Sequence, residues 1–319
     1  MKQMSDVETT TSSRPPRLPL SMGFPRQRCD ENRFAFTIRG PMLQGTPGRV
    51  SDFYDHHPIN ATRVLEALSR PGLGRPGPVT ADDLFEFDQD HYGGLAAVDA
   101  LARRAGIGST SRVLDVCAGL GGPARFVASR RGSIVVALEL HRGRAAGAAR
   151  LNRLVGARGV TVVRGDATAL PFVRSAFDAC LSQEALLHIA DKAKVLAECH
   201  RVLAPGGRIA FSDWIAFPRL GDRERTQLWE WMAATTLQTL EGYSALLGRA
   251  GFSSIEAEDL SAQWRPIVRK RLELHRTLRA DGIARLGDER YLQYDQLHAF
   301  FVRLIEDGKL GGGRFTATR

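Results

Sequence analysis

Between residues 95 and 213 the chain alternates short, almost wholly apolar runs with longer stretches whose apolar positions recur every three or four residues. The first pattern suits strands buried on both faces, and the second suits helices laid over them. Strands are predicted at 112–117, 133–139, 160–164, 176–182 and 208–213, with helices at 95–105, 123–131, 142–155 and 192–203. The last helix gathers Val195, Leu196, Cys199, Val202 and Leu203 on one face and stops at Pro205-Gly206-Gly207. Strands and helices alternating across short connections predict an α/β fold with a mostly parallel sheet. Farther on the alternation loosens. Helices are expected at 223–237, 240–250, 266–279 and 288–306, and strands at 254–260 and 312–318. Upstream, a helical pattern at 51–70 carries Phe53, Tyr54, Val64, Leu65 and Leu68, interrupted by Pro58, before a Pro/Gly-rich break at 71–78. A short helix around 81–87 follows. Residues 1–48 are rich in Pro, Ser, Thr, Arg and Gly without an apolar period, which predicts a disordered tail.

Composition narrows the class. The 319 residues, 43% of them apolar, can bury a substantial core, which excludes a disulfide-stapled miniprotein, a collagen-like fibre and a mostly disordered chain. No run nears the roughly 18 consecutive apolar residues that cross a bilayer. The opening residues lead into Thr, Ser and Pro rather than an apolar signal core, so a soluble, cytoplasmic protein with no membrane partner is expected. Cys29, Cys117, Cys180 and Cys199 lack zinc-site spacing and are read as buried thiols. The paired His56 and His57 find no carboxylate–His spacing to complete a set, so no metal is expected. The net charge of +9 raises nucleic acid as a partner. Residues 1–50 hold a surplus of four, and the remainder is spread over mixed-charge helix faces without interleaved aromatic residues, so none is expected.

The candidate chemistry centres on Val113-Leu114-Asp115-Val116-Cys117-Ala118-Gly119-Leu120-Gly121-Gly122-Pro123-Ala124, a strand, a glycine turn and a helix opening with proline. Gly119-x-Gly121-x-x-Ala124 alone also fits a dinucleotide fingerprint and keeps an NAD-dependent oxidoreductase as a rival. Three acids point elsewhere. Asp115, beside the turn, would repel a pyrophosphate but hold the ammonium of an amino-acid moiety. Glu139 ends the second strand, 20 residues after Gly119, where a carboxylate accepts from both ribose hydroxyls. Asp166 follows the third strand and can accept from an adenine amino group. Each acid alone could be a helix cap or a turn residue. Together, along one sheet edge, they describe a pocket for S-adenosylmethionine.

With these pieces, and with Gly165-Asp166-Ala167-Thr168-Ala169-Leu170-Pro171-Phe172, Phe177-Asp178-Ala179-Cys180-Leu181-Ser182-Gln183-Glu184 and Arg201-Val202-Leu203-Ala204-Pro205-Gly206-Gly207, residues 51–319 resemble a class I S-adenosylmethionine-dependent methyltransferase. The stretch Leu181 to His188 and the glycine-rich strand around Phe315 resemble the glycine/sarcosine/dimethylglycine N-methyltransferase and tocopherol-type branch, whose members commonly carry Asp where this chain has Glu184. The resemblance implies a Rossmann-like seven-stranded sheet, its last strand antiparallel, with helices on both faces. It also implies an N-terminal helical lid over 49–94 and a methyltransferase domain over 95–319, with a helical substrate cap inserted at about 215–238 and 265–308. Cofactor contacts are expected at Asp115, Ala118, Gly119, Gly121, Glu139, Leu140, Asp166, Ala167, Ser182 and Gln183, with Gln89 and Gly94 from the lid. The partner implied is a small-molecule methyl acceptor, and a homodimer stays open.

Methyl transfer is an in-line attack on a sulfonium carbon, so alignment and exclusion of water matter most. Catalytic candidates are His188, Glu184 and Tyr54. His188 is the nearest base should the acceptor be a hydroxyl. Glu184 and Asp213 would stabilise a cationic product, a structural acid being the alternative for Asp213, and the Tyr54 ring would face the sulfonium. An amine nitrogen of an amino-acid-like or betaine-precursor substrate is the expected acceptor, with a methionine-like thioether or a small-metabolite hydroxyl as alternatives. An RNA methyltransferase is the more distant rival. Ser182-Gln183-Glu184 stands where such an enzyme would carry a base-flipping motif. Trp214, Trp229 and Trp231 are candidates for a substrate roof or for plain core packing.

Overall fold

The computed structural model describes residues 48–69, 77–89 and 91–319, so the tail expected over 1–48 lies outside the described residues apart from Gly48. Seven strands form one sheet: β1 Arg112–Val116, β2 Ile134–Glu139, β3 Val160–Arg164, β4 Phe177–Gln183, β5 Leu203–Ala216, β6 Ser253–Asp259 and β7 Leu310–Thr318. Their order is β3-β2-β1-β4-β5-β7-β6, with the first five parallel and β7 antiparallel to both β5 and β6. The helices are α1 Gly48–Asp55, α2 Ala61–Leu68, α3 Ala81–Leu84, α4 Gly94–Arg104, α5 Gly122–Arg131, α6 Arg142–Leu154, α7 Lys192–Val202, α8 Asp222–Met232, α9 Leu240–Arg249, α10 Ser261–Thr277, α11 Arg279–Leu286 and α12 Asp288–Glu306.

The apolar runs become central strands because both faces are covered. Leu114, Val116, Val136 and Leu138 pack towards Val195 and Leu196 of α7 and Tyr243 and Leu247 of α9. The alternate residues Val113, Val135, Ala137 and Leu181 pack towards Leu101 of α4 and Val127 of α5. Register pairs Val116 with Leu138 and Asp115 with Leu181, which brings the ends of β1, β2 and β4 to one edge. After β3 the chain crosses back to the far side of β1, and the switch opens a crevice between β1 and β4 at that edge.

Three predicted helices differ from those observed. The 51–70 pattern is two helices, because Pro58 interrupts it and Asn60 starts α2 by accepting the Arg63 amide at 3.1 Å. The helix expected at 223–237 ends at Met232, where Ala233 turns left-handed at φ 53°. The helix expected from 266 starts at Ser261 and carries Pro266 inside it, and α11, which is not among the expected helices, follows it.

The N-terminal helices are fastened by charge. Arg125 on α5 is 1% exposed and donates to Asp88 Oδ2 at 2.6 Å, to Asn152 Oδ1 at 2.7 Å and to the Leu120 carbonyl at 2.7 Å. The segment lies so close that a Cβ on Gly122 would stand 2.5 Å from the Asp88 carbonyl oxygen. Breaking such a pair leaves a charge stranded in the interior. Asp88→Ala should therefore lower stability in chemical denaturation by about 3–5 kcal/mol, and adding Arg125→Met should recover much of it. A loss of about 1 kcal/mol or less, the scale of an exposed pair, would show that the ion pair does not hold the segment.

Candidate active site

The crevice is a cavity of about 540 Å³ at the carboxyl edge of the sheet. At its centre the turn after β1 carries Cys117 at φ 61° and Gly119 at φ 57°, left-handed conformations that cost a non-glycine residue energy and mark a built site. Glu139, at the end of β2, holds the turn. Its Oε2 accepts the Gly119 amide at 2.8 Å and its Oε1 the His141 amide at 2.8 Å. A side chain on Gly119 would collide with the Arg144 guanidinium at 2.5 Å.

Asp115, Ala118, Gly119, Glu139, Leu140, Asp166, Ala167, Gln183, Glu184, His188 and Tyr54, all expected from sequence, line this cavity. Ser182, Gly121, Gln89 and Gly94 do not. Ser182 points to the other side of its strand, where its hydroxyl donates to the Val116 carbonyl at 2.9 Å. Gly121 caps α5. Gln89 is occupied by Asp88 at 2.7 Å and His91 at 2.8 Å, and Gly94 begins α4. Asp166 is a turn residue as well as a lining one, since its Oδ1 accepts both the amide and the hydroxyl of Thr168 at 2.8 Å.

Two buried polar atoms in the wall lack a partner among the described residues, Asp115 Oδ2 and Gln183 Nε2. Burial, reinforced by the Glu139 charge, raises the Asp115 carboxyl to about 7. An acceptor that wants a cation and a donor that wants an oxygen thus flank the glycine turn, suited to the ammonium and the oxygens of an amino-acid-bearing nucleoside.

The opposite wall is aromatic and basic. The Tyr54 ring meets His188 edge-on with centroids 5.3 Å apart, and the Arg144 guanidinium stacks 4.5 Å from it. His188 donates from Nδ1 to the Ala233 carbonyl at 3.1 Å, which leaves the lone pair on Nε2. Its turn, Leu186–His188, is stitched to the loop after α8. The Leu187 carbonyl accepts the Thr235 amide at 2.9 Å, and the buried Lys192 ammonium donates to the Ile189 and Thr236 carbonyls at 2.8 Å each. Burial lowers Lys192 to about 8. Glu184, left-handed at φ 49°, accepts the Tyr92 amide at 2.7 Å and so ties the N-terminal segment to the end of β4.

Of the tryptophans, Trp214 is core at 3% exposure and packs on Tyr92 and Trp264, whereas the half-exposed Trp229 lines the cavity. Asp213 does not reach the cavity. It is buried, raised to about 6 by desolvation and bonded to the Tyr243 hydroxyl. The paired histidines diverge: His56 Nδ1 bonds the Asp52 carbonyl at 2.8 Å, while His57 Nδ1 accepts the Ile59 amide at 3.2 Å. Sequence reasoning missed Asp88 with Arg125, and also Arg49, His141 and Arg144. His141 is legible only as the residue before α6, whose Arg144 amide it accepts at 3.2 Å, while its Nε2 donates to Asp55 at 3.1 Å.

The Asp115 carboxyl generates a pH dependence. Folded it titrates near 7, unfolded near 4, so between these values the native state binds more protons than the unfolded chain. Its contribution to stability is present below pH 4 and is lost as pH rises to 7, by at most about 1.4 kcal/mol per pH unit. Asp213 acts with the same sign. His298, lowered to about 4 by burial, acts with the opposite sign between about pH 4 and 6.5, so the Asp115 effect is read as a difference: in denaturation, the stability of the protein relative to its Asp115→Asn variant should fall as pH rises from 4 to 7. A difference that stays constant with pH would mean the carboxyl is ionised throughout.

Residues 114–211 match the family model described as a methyltransferase domain. A protein of Streptomyces halstedii named methyltransferase GfsG is 30% identical over 234 residues, spanning 71% of this chain and 81% of its own. The glycine/sarcosine/dimethylglycine N-methyltransferase of Actinopolyspora halophila is 32% identical over 165 residues, 51% of this chain but only 29% of that protein. Among solved structures, phosphoethanolamine N-methyltransferase 2 of Haemonchus contortus with S-adenosylhomocysteine and phosphomonomethylethanolamine shares the fold. Its TM-score is 0.70 at 23% identity, over 85% of this chain and 60% of that one. The chain belongs to the S-adenosylmethionine-dependent methyltransferases.

Proposed function

We propose that the protein methylates an amine nitrogen of a small molecule, with S-adenosylmethionine seated in the 540 Å³ cavity. The observation that carries the seat is the pair of buried atoms without a partner among the described residues, Asp115 Oδ2 and Gln183 Nε2, beside a glycine turn closed by Glu139. Asp115 would take the ammonium of the methionine moiety, Glu139 the ribose hydroxyls through the lone pairs its two amide contacts leave, and Asp166 with Ala167 the adenine edge. The cofactor supplies a methyl group on a positively charged sulfur. Tyr54 presents its ring to that charge, and α1 with the segment around Asp88 and His91 keeps water from the line of attack. Glu184 lies where positive charge moves onto an acceptor nitrogen, and relatives named as sarcosine and phosphoethanolamine N-methyltransferases support that acceptor class. A hydroxyl acceptor is the second reading. It is favoured by one observation, the His188 tautomer, whose Nε2 lone pair would take the hydroxyl proton.

Calorimetry should show Glu139→Ala weakening S-adenosylmethionine binding by about 1.5–3 kcal/mol, the range for hydrogen bonds to a charged group. Unchanged affinity would refute the ribose assignment. A methyl-transfer assay with mass spectrometry over glycine derivatives, ethanolamines, methionine-like thioethers and phenols separates the acceptors. With an amine, turnover should rise with pH towards the amine pKa and survive His188→Gln. Methylation of phenols alone, lost by about 10²-fold or more in that variant, would replace the amine reading with the hydroxyl one.

A further inference from the structure

A second cavity of about 430 Å³ lies behind the first, between α1, the end of α8 and α12. The two share Arg49 in their linings. What separates them elsewhere is one layer: Phe53, whose ring centroid is 5.7 Å from that of His188, and Ala233, whose carbonyl receives the His188 proton. The lining is half apolar and half polar. Phe53, Trp231 and Tyr294 supply ring faces, and Gln293 and Gln296 supply amides. Its formal charges balance, Arg49 and Arg290 against Asp52 and Glu230. Arg49 donates to the Glu230 carbonyl, and Arg290 donates to the His56 carbonyl at 3.0 Å and lies 5.7 Å from the Tyr294 ring. Such a wall carries no net formal charge to draw an ionic ligand, whereas rings and amides together suit an uncharged body with hydroxyls. Cavities of roughly 300–1,000 Å³ hold drug-sized ligands, and a glycine-sized acceptor would leave this one unused.

We propose that the second cavity is the distal half of the acceptor site, and that it takes the neutral, hydroxylated, ring-containing body of a methyl acceptor whose reacting atom stands beside His188 and Glu184. The proposal rests on methyl transfer occurring in the first cavity. It makes the acceptor larger than an amino acid, with Arg49 at the junction where the body passes from one cavity to the other.

The test uses tyramine and its phenolic β-glucoside, which share one amine and differ by a neutral hydroxylated ring. Their affinities are measured by calorimetry on the full chain loaded with S-adenosylhomocysteine. The glucoside should bind at least about tenfold tighter than tyramine. Gln293→Trp and Gln296→Trp, at exposed positions of α12, should each abolish that gain while leaving affinity for S-adenosylhomocysteine and for tyramine unchanged. Equal affinities in the wild-type protein, or a gain that survives both filling variants, overturns the proposal. Methylation is scored separately with S-adenosylmethionine. If neither amine is methylated while the affinity ratio stands, the distal site remains and the reacting atom of the acceptor is decided by the panel of amines, thioethers and phenols.

Discussion

The ion pair between Arg125 and Asp88 is the constraint on which the site depends. Arg125 stands in the first two turns of α5, and one guanidinium reaches the N-terminal segment, α6 through Asn152 and the glycine turn through the Leu120 carbonyl. Burying two charges is expensive, and here the cost is offset only because three neutral or charged acceptors converge on the guanidinium. Desolvation nevertheless raises the Asp88 carboxyl despite that neighbour. The result is that the turn and the N-terminal segment that lines the cavity beside it are packed together. Gly122 is the corollary, since a methyl group there would push the Asp88 backbone off the turn.

A second consequence concerns how α1 partitions space. Tyr54 faces the first cavity and Phe53 the second, with Arg49 common to both. Consecutive residues on a helix point about 100° apart, so one short helix can serve as wall to two chambers. Asp55 and Arg290 hold this helix at its carboxyl end, through His141 at 3.1 Å and the His56 carbonyl at 3.0 Å. His188 belongs to the same partition, because its tautomer is set by Ala233, a residue held left-handed where α8 stops. Buried Lys192 clamps the two strands of backbone that meet there.

How much of this was legible in the sequence follows from what each residue type signals. The parallel strands announced themselves because burial on both faces leaves an unbroken apolar run, and the acids ending β1 and β2 were conspicuous against it. Ser182 lies outside the cavity lining because side chains alternate along a strand, a period of two that a motif read as a string ignores: Gln183 lines the cavity, while the Ser182 hydroxyl bonds the neighbouring strand. Helix ends were less legible: Ala233 carries no sequence mark of a left-handed stop, and α8 was read five residues too long. Arg125 and Asp88 were invisible as a pair. Charged residues 37 apart look like solvated surface until the fold brings them to 2.6 Å.

The central claim is that the crevice between β1 and β4 seats the nucleoside with its amino-acid end on Asp115 and its ribose on Glu139. A crystal structure of the full chain with S-adenosylhomocysteine measures this directly. The account predicts ribose oxygens within hydrogen-bond distance of Glu139, the ligand ammonium on Asp115 directly or through one water, and Gln183 Nε2 donating into the site. A nucleoside bound elsewhere, or one lying in this cavity with its ribose turned away from Glu139, would contradict it.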